Sequence, residues 1–587
     1  YDPKPNTAGK SYSKWMGELQ TAGEFDPLFF GISAREANRM DPQQRFILET
    51  AWNALEDAAL NPAALPNRDV GVFVGSCHWD YLELQSRAGL EPEAHMATGI
   101  SQAILANRVS YLFNFTGPSV SNDTACSSAL VAIEQAVQAL RAGACDLALA
   151  GGANLIWSPD HFLAFAKAGM LSKTGESRAF DHLANGYVRG EGAAMVVLKP
   201  LARAVADGDP IHAVIREVAS NHGGHSAGLT VTNPTEQAAL ITRVVTRAAI
   251  PPETLGYIEA HGTGTPIGDP IEVRGLKTAF DALYAQAGTT PTEGAIRIGS
   301  VKNNIGHLEG AAGIAGLAKV IAALHHGKIP PTAGFEKPNP LLRLAGSGLR
   351  IADRLEDWPR IADHPRRAGI SSFGFGGTNA HALIEEYLRP ASADTVHGPL
   401  PILLSARSPA ALRHRLQTLR DWLARHPDAD LASVARSLAF GRAAMSHRAA
   451  LVADDLAGAL RGLAAEGLCQ GVVDEETAAL PANGDDLAAL AQAWVTGGAV
   501  DWAAHIPAGP RLHLPGYVFD RTSHWFEPLP APQPTAAPVS ALRFEQNETG
   551  ARLHVAADHP YLAHHIIGGV SILPGMVTLT YAAQAFG

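Results

Sequence analysis

Cys126 stands in the stretch SVSNDTACSSALVAIEQAVQAL, residues 119–140. There a short extended run ends at Asp123 and Thr124, and an almost wholly apolar helical pattern begins after Ser127 and Ser128. A helix start supplies unpaired backbone N–H groups and the positive end of the macrodipole, which stabilise a thiolate and lower its pKa. The cysteine therefore reads either as an activated nucleophile or as a buried structural thiol, since free cysteine is among the most buried residue types. Two histidines bear on the choice. His261 closes the run LGYIEAHG, and His307 lies in NNIGHLEG after IRIGSVK, so each follows a predicted strand as Cys126 does. Their spacing excludes a helical HExxH zinc site, and no second cysteine is close enough for structural zinc, so no metal site is predicted. What remains is cysteine nucleophile chemistry assisted by histidines, with Lys302 adding positive charge. GTGTPIGDP has the glycines of a phosphate loop but lacks a GKS or GKT ending and does not match GxGxxG.

The elements that must position these groups alternate between strand and helix. DPQQRFILETAWNALEDAAL, 41–60, reads as a helix with Asp41 as N-cap and Pro42 as first helical residue. DVGVFVGS and CDLALAGGA read as buried strands, and SQAILANRVSYLF as a helix. The pattern then recurs. AMVVLKPL and IHAVIREVASN are strands, and TNPTEQAALITRVVTRAA is an amphipathic helix opened by Thr232 or Asn233. IEVRGLKTAFDAL and AAGIAGLAKVIAALHHG are helices, and GISSFGFGGTNAHALIEEY is two strands around a glycine-rich turn. This is an α/β layer pattern, in which sites assemble at the carboxyl ends of strands.

Composition narrows the class. The chain is 46% hydrophobic, enough for a large core, and its length suggests roughly three to four domains. A net charge of -11 with no lysine or arginine run argues against nucleic acid or an anionic membrane as the main partner. The four cysteines, Cys77, Cys126, Cys145 and Cys469, form no CxxC pair, which fits a reducing cytoplasm. No run approaches the ~18 apolar residues of a membrane span, and the first residues have no signal-peptide core. The chain opens on Tyr1, as expected of part of a longer polypeptide.

Four motifs carry a resemblance. DTACSSAL with Cys126, EAHGTGTPIGDPIE with His261, SVKNNIGHLEGAAG with Lys302 and His307, and ISSFGFGGTNAH with Phe375 occur in this order. Together they resemble the β-ketoacyl synthase domain of a modular type I polyketide synthase over roughly 1–388. The resemblance implies a thiolase-like fold, two α/β halves in an αβαβα stack, acting as a homodimer, with an opening strand ahead of YDPKPN. It also implies decarboxylative Claisen condensation. Cys126 takes the growing acyl chain from an acyl carrier protein, with backbone N–H groups of Cys126 and the Phe375 loop as oxyanion hole. His261 and His307 polarise the malonyl thioester, and Lys302 and Glu309 set the charge and orientation of His307. Thr263 and Thr265 hold the phosphopantetheine arm, and Phe375 gates the cysteine. No cofactor is bound by the synthase itself, because substrates arrive on the carrier protein's arm. Family members unable to elongate often lack the histidine of HGTGT, and His261 is present. The alternatives are a non-elongating transfer or docking ketosynthase, a branching-type one, or a coenzyme A thiolase, which would need a second cysteine where FGFGGTNAH stands. Asn122, Glu134, Asn303 and Thr232 depart from the family pattern without removing a catalytic group, and bear on acyl-chain selectivity.

Residues 389–528 resemble the linker that joins such a synthase to an acyltransferase, followed directly by the stretch that normally comes after one. The 23 positions between Gly467 and Leu490 leave no room for the ~100–200 residues of a domain. The resemblance is thus to synthases of the trans-acyltransferase type, whose extender units are loaded by a separate, trans-acting acyltransferase. Arg436, Arg442 and Arg448 read either as solvated surface or as a basic dock for an acidic carrier protein. Residues 529–541 form a Pro/Ala-rich connector. In 542–587, His565, Gly569 and Pro574 fit the HxxxGxxxxP motif of dehydratases with a double hot-dog fold, His565 being the implied base.

Overall fold

The computed structural model describes the chain except residue 66, residues 390–397, 465–467 and 475–479, and most of 528–587. His565, Gly569 and Pro574 lie outside the described residues. Tyr1–Arg87 and Glu91–Phe526 form one compact unit, and Ala88–Leu90 with Glu527–Gly587 a second. In the second, Arg543–Asn547 pairs antiparallel with Gly550–His554, and Ile566–Ile567 with Val570–Ser571.

Two sheets form the middle of the larger unit. In the first half, β1 (Val70–Gly75), β2 (Ser119–Asn122), β3 (Leu147–Asn154) and β4 (Gly192–Leu198) are ordered β2-β1-β3-β4, with only β4 antiparallel. The second half contributes β5 (Ala213–His222), β6 (Leu255–Glu259), β7 (Ile296–Gly299), β8 (Leu349–Ile351), β9 (Arg367–Phe373) and β10 (Thr378–Glu386), ordered β8-β7-β6-β9-β10-β5. Both sheets thus run parallel strands into a last antiparallel one. In the second sheet β5 covers that strand's outer edge. In the first, no strand among the described residues pairs with the outer edge of β4, which borders a mainly apolar cavity of about 660 Å³.

Strand alternation assigns the layers. Val70, Val72 and Val74 face outward onto Ile47, Leu48 and Leu55 of α1 (Pro42–Asp57), whereas Phe73 faces inward. The inner layer is α2 (Ser128–Arg141), which follows the cysteine, with α5 (Ala312–His326) from the second half. Between them in sequence, α3 (Pro234–Ala248) and α4 (Gly268–Ala287) cover the outer face of the second sheet through Leu240, Val244, Val273 and Leu276. The result is the expected αβαβα stack. The inner helices cross closely, since a Cβ on Gly313 would lie 2.9 Å from the backbone N of Leu130 and 2.8 Å from its Cβ. Capping follows the sequence. Asp41 accepts from the Gln43 N–H with Pro42 behind it, and Asn233, not Thr232, caps α3.

The linker forms a three-stranded antiparallel sheet of Leu400–Ala406, His447–Ala453 and Cys469–Val472, of which the last strand has no counterpart in the sequence reading. Helices Pro409–Arg425, Leu431–Phe440 and Leu456–Ala464 flank it, and its core is continuous with that of α1. The three arginines are neither solvated surface nor a basic dock. Arg442 is 6% exposed, lies 3.6 Å from the Glu56 carboxylate and donates to the carbonyls of Glu56 and Leu514. Arg436 is 4% exposed and donates to Pro507 and Pro510, and Arg448 donates to the Trp494 carbonyl. The buried guanidiniums of Arg436 and Arg442 and the half-buried one of Arg448, with up to five donors each, suit a seam of backbone carbonyls, and here they join the linker, the chain segment after it and α1.

Candidate active site

The nucleophile's turn is built by its own short side chains. After β2, Asp123 accepts the N–H of Ala125 at 2.8 Å, which helps hold Ala125 in the left-handed region at φ 56°. Ser128, the first residue of α2, accepts the Thr124 N–H at 2.9 Å and donates to the Ala125 carbonyl at 2.6 Å. From β9, Ser372 donates to the Cys126 carbonyl at 2.6 Å and ties the two halves together.

His261 follows β6, where its own N–H and that of Gly262 donate to the Glu272 carboxylate at 2.7 and 2.8 Å. Asp269 accepts the Gly264 N–H at 3.2 Å and the Phe180 N–H at 2.7 Å. The acidic residues closing EAHGTGTPIGDPIE therefore shape the loop that opens it. Burial pushes Asp269 up to about 6 and Glu272 up to about 7. His307 follows Gly306, whose φ of 78° and close approach to the Arg189 carbonyl leave no room for a Cβ.

The Cys126 sulfur and one nitrogen of each histidine lie within 4.8 Å of one another. The backbone assigns the tautomers: the Phe373 N–H donates to His261 Nδ1 at 3.3 Å, and the Glu309 N–H to His307 Nδ1 at 3.0 Å. In a neutral ring the proton is then on Nε2, a donor free for substrate. Burial, with Lys302 and the neighbouring imidazole adding to it, holds His261 well below its usual range. Burial and Lys302 take His307 down to about 3. Both rings are neutral at pH 7. Three converging soft ligands could also hold a divalent metal, but the Lys302 ammonium beside them opposes a cation.

The cysteine does not follow the helix-start expectation. Burial pushes its thiol up to about 12 and Glu309 adds to this, while Lys302 and the N–H groups of Phe375 and Cys126 pull the other way. A helix N-terminus is worth fractions of a kcal/mol to about 2 kcal/mol, which desolvation in a closed site exceeds. Those two N–H groups approach the sulfur and so favour its thiolate form.

Glu309 orients His307 through its backbone N–H and raises its pKa through its charge, while its carboxylate makes its hydrogen bonds elsewhere. It takes a bidentate pair from Arg189 at 2.6 and 2.8 Å and a further bond from His78. Burial opposes ionisation, but Arg189 and His78 overcome it and hold this carboxyl well below the usual range. Lys302 is also buried, which depresses its pKa against the support of Glu259 and Glu272. Arg189, His78, Glu272 and Asp269 went unassigned in the sequence reading. The acids stand inside a quoted motif, but no spacing marks Arg189 or His78.

A cavity of about 560 Å³ joins these groups, with Cys126, His261, His307, Thr263, Thr265 and Phe375 in its wall. The Thr263 and Thr265 hydroxyls lie 3.3 Å apart on one side. Phe375 is 46% exposed and meets Phe165 edge-on at 6.3 Å. No helix among the described residues is long and apolar enough to cross a membrane.

Comparison with known proteins places this geometry. The β-ketoacyl synthase N-terminal domain matches residues 1–204 and the C-terminal domain 212–336, and the RhiE-like KS-MAT linker domain matches 403–470. Polyketide synthase PksN of Bacillus subtilis is 38% identical over 98% of this chain, and ThaG of Burkholderia thailandensis 39% over 100%. The chain spans only 11% of either relative. Among solved structures, the oxazolomycin ketosynthase domain OzmH KS7 of Streptomyces albus superposes with a TM-score of 0.82 at 40% identity, covering 90% of this chain and 91% of that one. The module 6 ketosynthase of the Bacillus subtilis bacillaene synthase gives 0.79 at 35%, covering 90% and 92%. The chain therefore belongs to the β-ketoacyl synthases of modular polyketide synthases, a family of transferase enzymes, and carries a RhiE-like linker after the thiolase-like fold.

Proposed function

We propose that this ketosynthase elongates a polyketide by decarboxylative Claisen condensation, with Cys126 as nucleophile and malonyl carrier protein as the second substrate. Cys126 exchanges its thiol proton for the acyl group of a carrier-protein thioester and releases the carrier's thiol. The N–H groups of Cys126 and Phe375 take the charge on the carbonyl oxygen. Thr263 and Thr265 receive the phosphopantetheine arm, and Phe375 stands at the approach to the sulfur. The Nε2–H groups of His261 and His307 then donate to the malonyl thioester oxygen. Carbon dioxide leaves with its bonding pair left on the α-carbon, the enolate attacks the acyl-cysteine carbonyl, and the Cys126 thiolate departs and is reprotonated. Lys302 supplies positive charge that keeps both rings neutral. One observation carries this reading: two neutral imidazoles, each with Nδ1 occupied by a backbone N–H, converge on one thiol.

On the same reading the extender unit arrives loaded by a separate acyltransferase, the protein acts in the cytoplasm as a homodimer, and residues 542–587 open a dehydratase-like domain. The test is intact-mass analysis. An acyl-pantetheine thioester should label Cys126, and malonyl carrier protein should convert the adduct to a ketoacyl product. His307→Ala should keep the first step and lose about 10²–10³-fold in the second. A persistent acyl-enzyme without ketoacyl product identifies a transfer or docking ketosynthase instead.

A further inference from the structure

The cavity beside β4 shares no wall residue with the one around Cys126, and its mainly apolar wall is broken by a cluster of Asp57, His212 and His513. Asp57 ends α1, His212 stands just ahead of β5, and His513 belongs to the segment after the linker. No spacing in the sequence marks the group, because the histidines lie 155 and 456 positions from Asp57. His212 Nε2 is 2.6 Å from one Asp57 oxygen, and His513 Nδ1 is 3.3 Å from the same atom. The two rings stack with centroids 3.4 Å apart and planes 12° from parallel. Behind them, His212 Nδ1 lies 3.1 Å from Nε2 of His325, in the last turn of α5.

One ligand atom from each of Asp57, His212 and His513 falls within 4.8 Å of the others. Side-chain exposures of 41%, 32% and 26% leave the group open to solvent. His513 Nε2 is buried, so Nδ1, at the carboxylate, is the atom this ring offers. Two imidazoles and a carboxylate are a donor set that suits zinc, with a fourth position left for water. Tetrahedral bonds of about 2.0–2.1 Å set neighbouring ligand atoms about 3.3 Å apart. Asp57 and His513 already stand at that separation, and Asp57 and His212 need open by only about 0.7 Å as their hydrogen bond gives way to two metal bonds. His212 bound through Nε2 carries its proton on Nδ1, where His325 Nε2 accepts it, the kind of outer contact that fixes a ligating ring. Lys199 and Arg511 are paired with Asp209, and Arg442 with Glu56, so these neighbouring cations are already balanced.

We propose that Asp57, His212 and His513 bind a zinc ion, with His325 orienting His212, and that the ion clips the segment after the linker to α1 and β5. The site is separate from the reaction at Cys126 and does not depend on it.

The test titrates the full chain with Zn²⁺ by calorimetry and with Co²⁺ by absorption. The expected result is one equivalent of Zn²⁺ bound with Kd below about 100 µM. Co²⁺ should give d–d bands without thiolate charge transfer, which distinguishes this site from one that uses Cys126 or another cysteine. His513→Phe, which keeps the stacked ring, and Asp57→Asn should each weaken binding by more than about 100-fold, and His325→Leu, which removes only the outer contact, by about 10- to 100-fold. Zn²⁺ should also slow amide exchange across residues 511–514 of the unaltered protein and leave it unchanged in His513→Phe. A Kd above about 100 µM in the unaltered protein, a thiolate charge-transfer band at one equivalent of Co²⁺, or undiminished affinity in the folded variants overturns the site. Full binding with unchanged amide exchange overturns the clip. Should Asp57→Asn fail to fold, His513→Phe and His325→Leu decide.

Discussion

The alkylation kinetics of Cys126 should report the resting charge of its sulfur. A thiol pushed up to about 12 is ionised to about one part in 10⁴ at pH 8, against about one part in four for an ordinary thiol near 8.5. The more basic thiolate is the better nucleophile, and a Brønsted slope of about 0.4–0.5 recovers about 1.5 of the roughly 3.4 orders lost. Alkylation of Cys126 by iodoacetamide at pH 8 should thus be about 10²-fold slower than that of a small free thiol. Its rate should climb about tenfold per pH unit from 7 to 10 without levelling. Stopped time courses with peptide mass mapping separate Cys126 from Cys77, Cys145 and Cys469. Lys302→Met, which removes the charge favouring the thiolate, should slow labelling at every pH. A plateau below pH 9 would mean that helix start, N–H groups and Lys302 together outweigh burial, and would refute the desolvation argument.

Further expectations concern packing and titration. Gly313→Ala places a Cβ against the Leu130 backbone, so overpacking of about 1–3 kcal/mol outweighs the ~1 kcal/mol gain in helix propensity, and the denaturant midpoint falls. A midpoint that rises would show that the inner helices can separate. Arg442→Ala leaves the buried Glu56 carboxylate to Arg415 alone, 3.4 Å away, and deprives the buried carbonyls of Glu56 and Leu514 of a donor, so it should cost about 1–3 kcal/mol in chemical denaturation. A loss under about 1 kcal/mol would return Arg442 to the status of a surface residue. His381 is fully buried with Nε2 unpartnered, and burial holds it down to about 3. Its folded pKa lies below the unfolded ~6.5, so its contribution is present above pH 6.5 and is lost as pH falls towards 3. The stability of His381→Phe relative to the unaltered protein should therefore rise by about 1.4 kcal/mol per pH unit on acidification from 6.5, read by denaturation at pH 7.5 and 5. A difference independent of pH would mean that His381 takes up a proton in the fold as readily as it does unfolded.

Much of the fold is legible in local patterns because its elements are locally consistent. Val70–Gly75 is a continuous apolar run bounded by turns, Asp41 and Pro42 open α1, and Asn233 caps α3. Three of the four motifs also mark a strand-to-helix turn, which is why Cys126, His261 and His307 stand out without a structure. The short strand Cys469–Val472 is weaker, since it is defined by pairing with His447–Ala453 and carries little pattern of its own. The three arginines mislead for the opposite reason. A basic residue in an acidic chain reads as surface, yet Arg442 meets Glu56 across 386 positions of sequence.

By itself, then, the sequence determined the order of strands and helices, the turn carrying each reactive side chain, and the family whose chemistry those turns resemble. Such features are set by hydrophobic period, caps and glycine placement over a few residues. Only the tertiary structure decided the electrostatics. It brought Arg189 and Glu309 together across 120 positions and His78 onto Glu309 across 231. It also assigned the histidine tautomers through two backbone N–H groups and brought His212 and His513 onto Asp57. Cys126 became a protonated thiol at rest because desolvation depends on everything that surrounds an atom in space, whereas a helix start is read from a few neighbours in sequence.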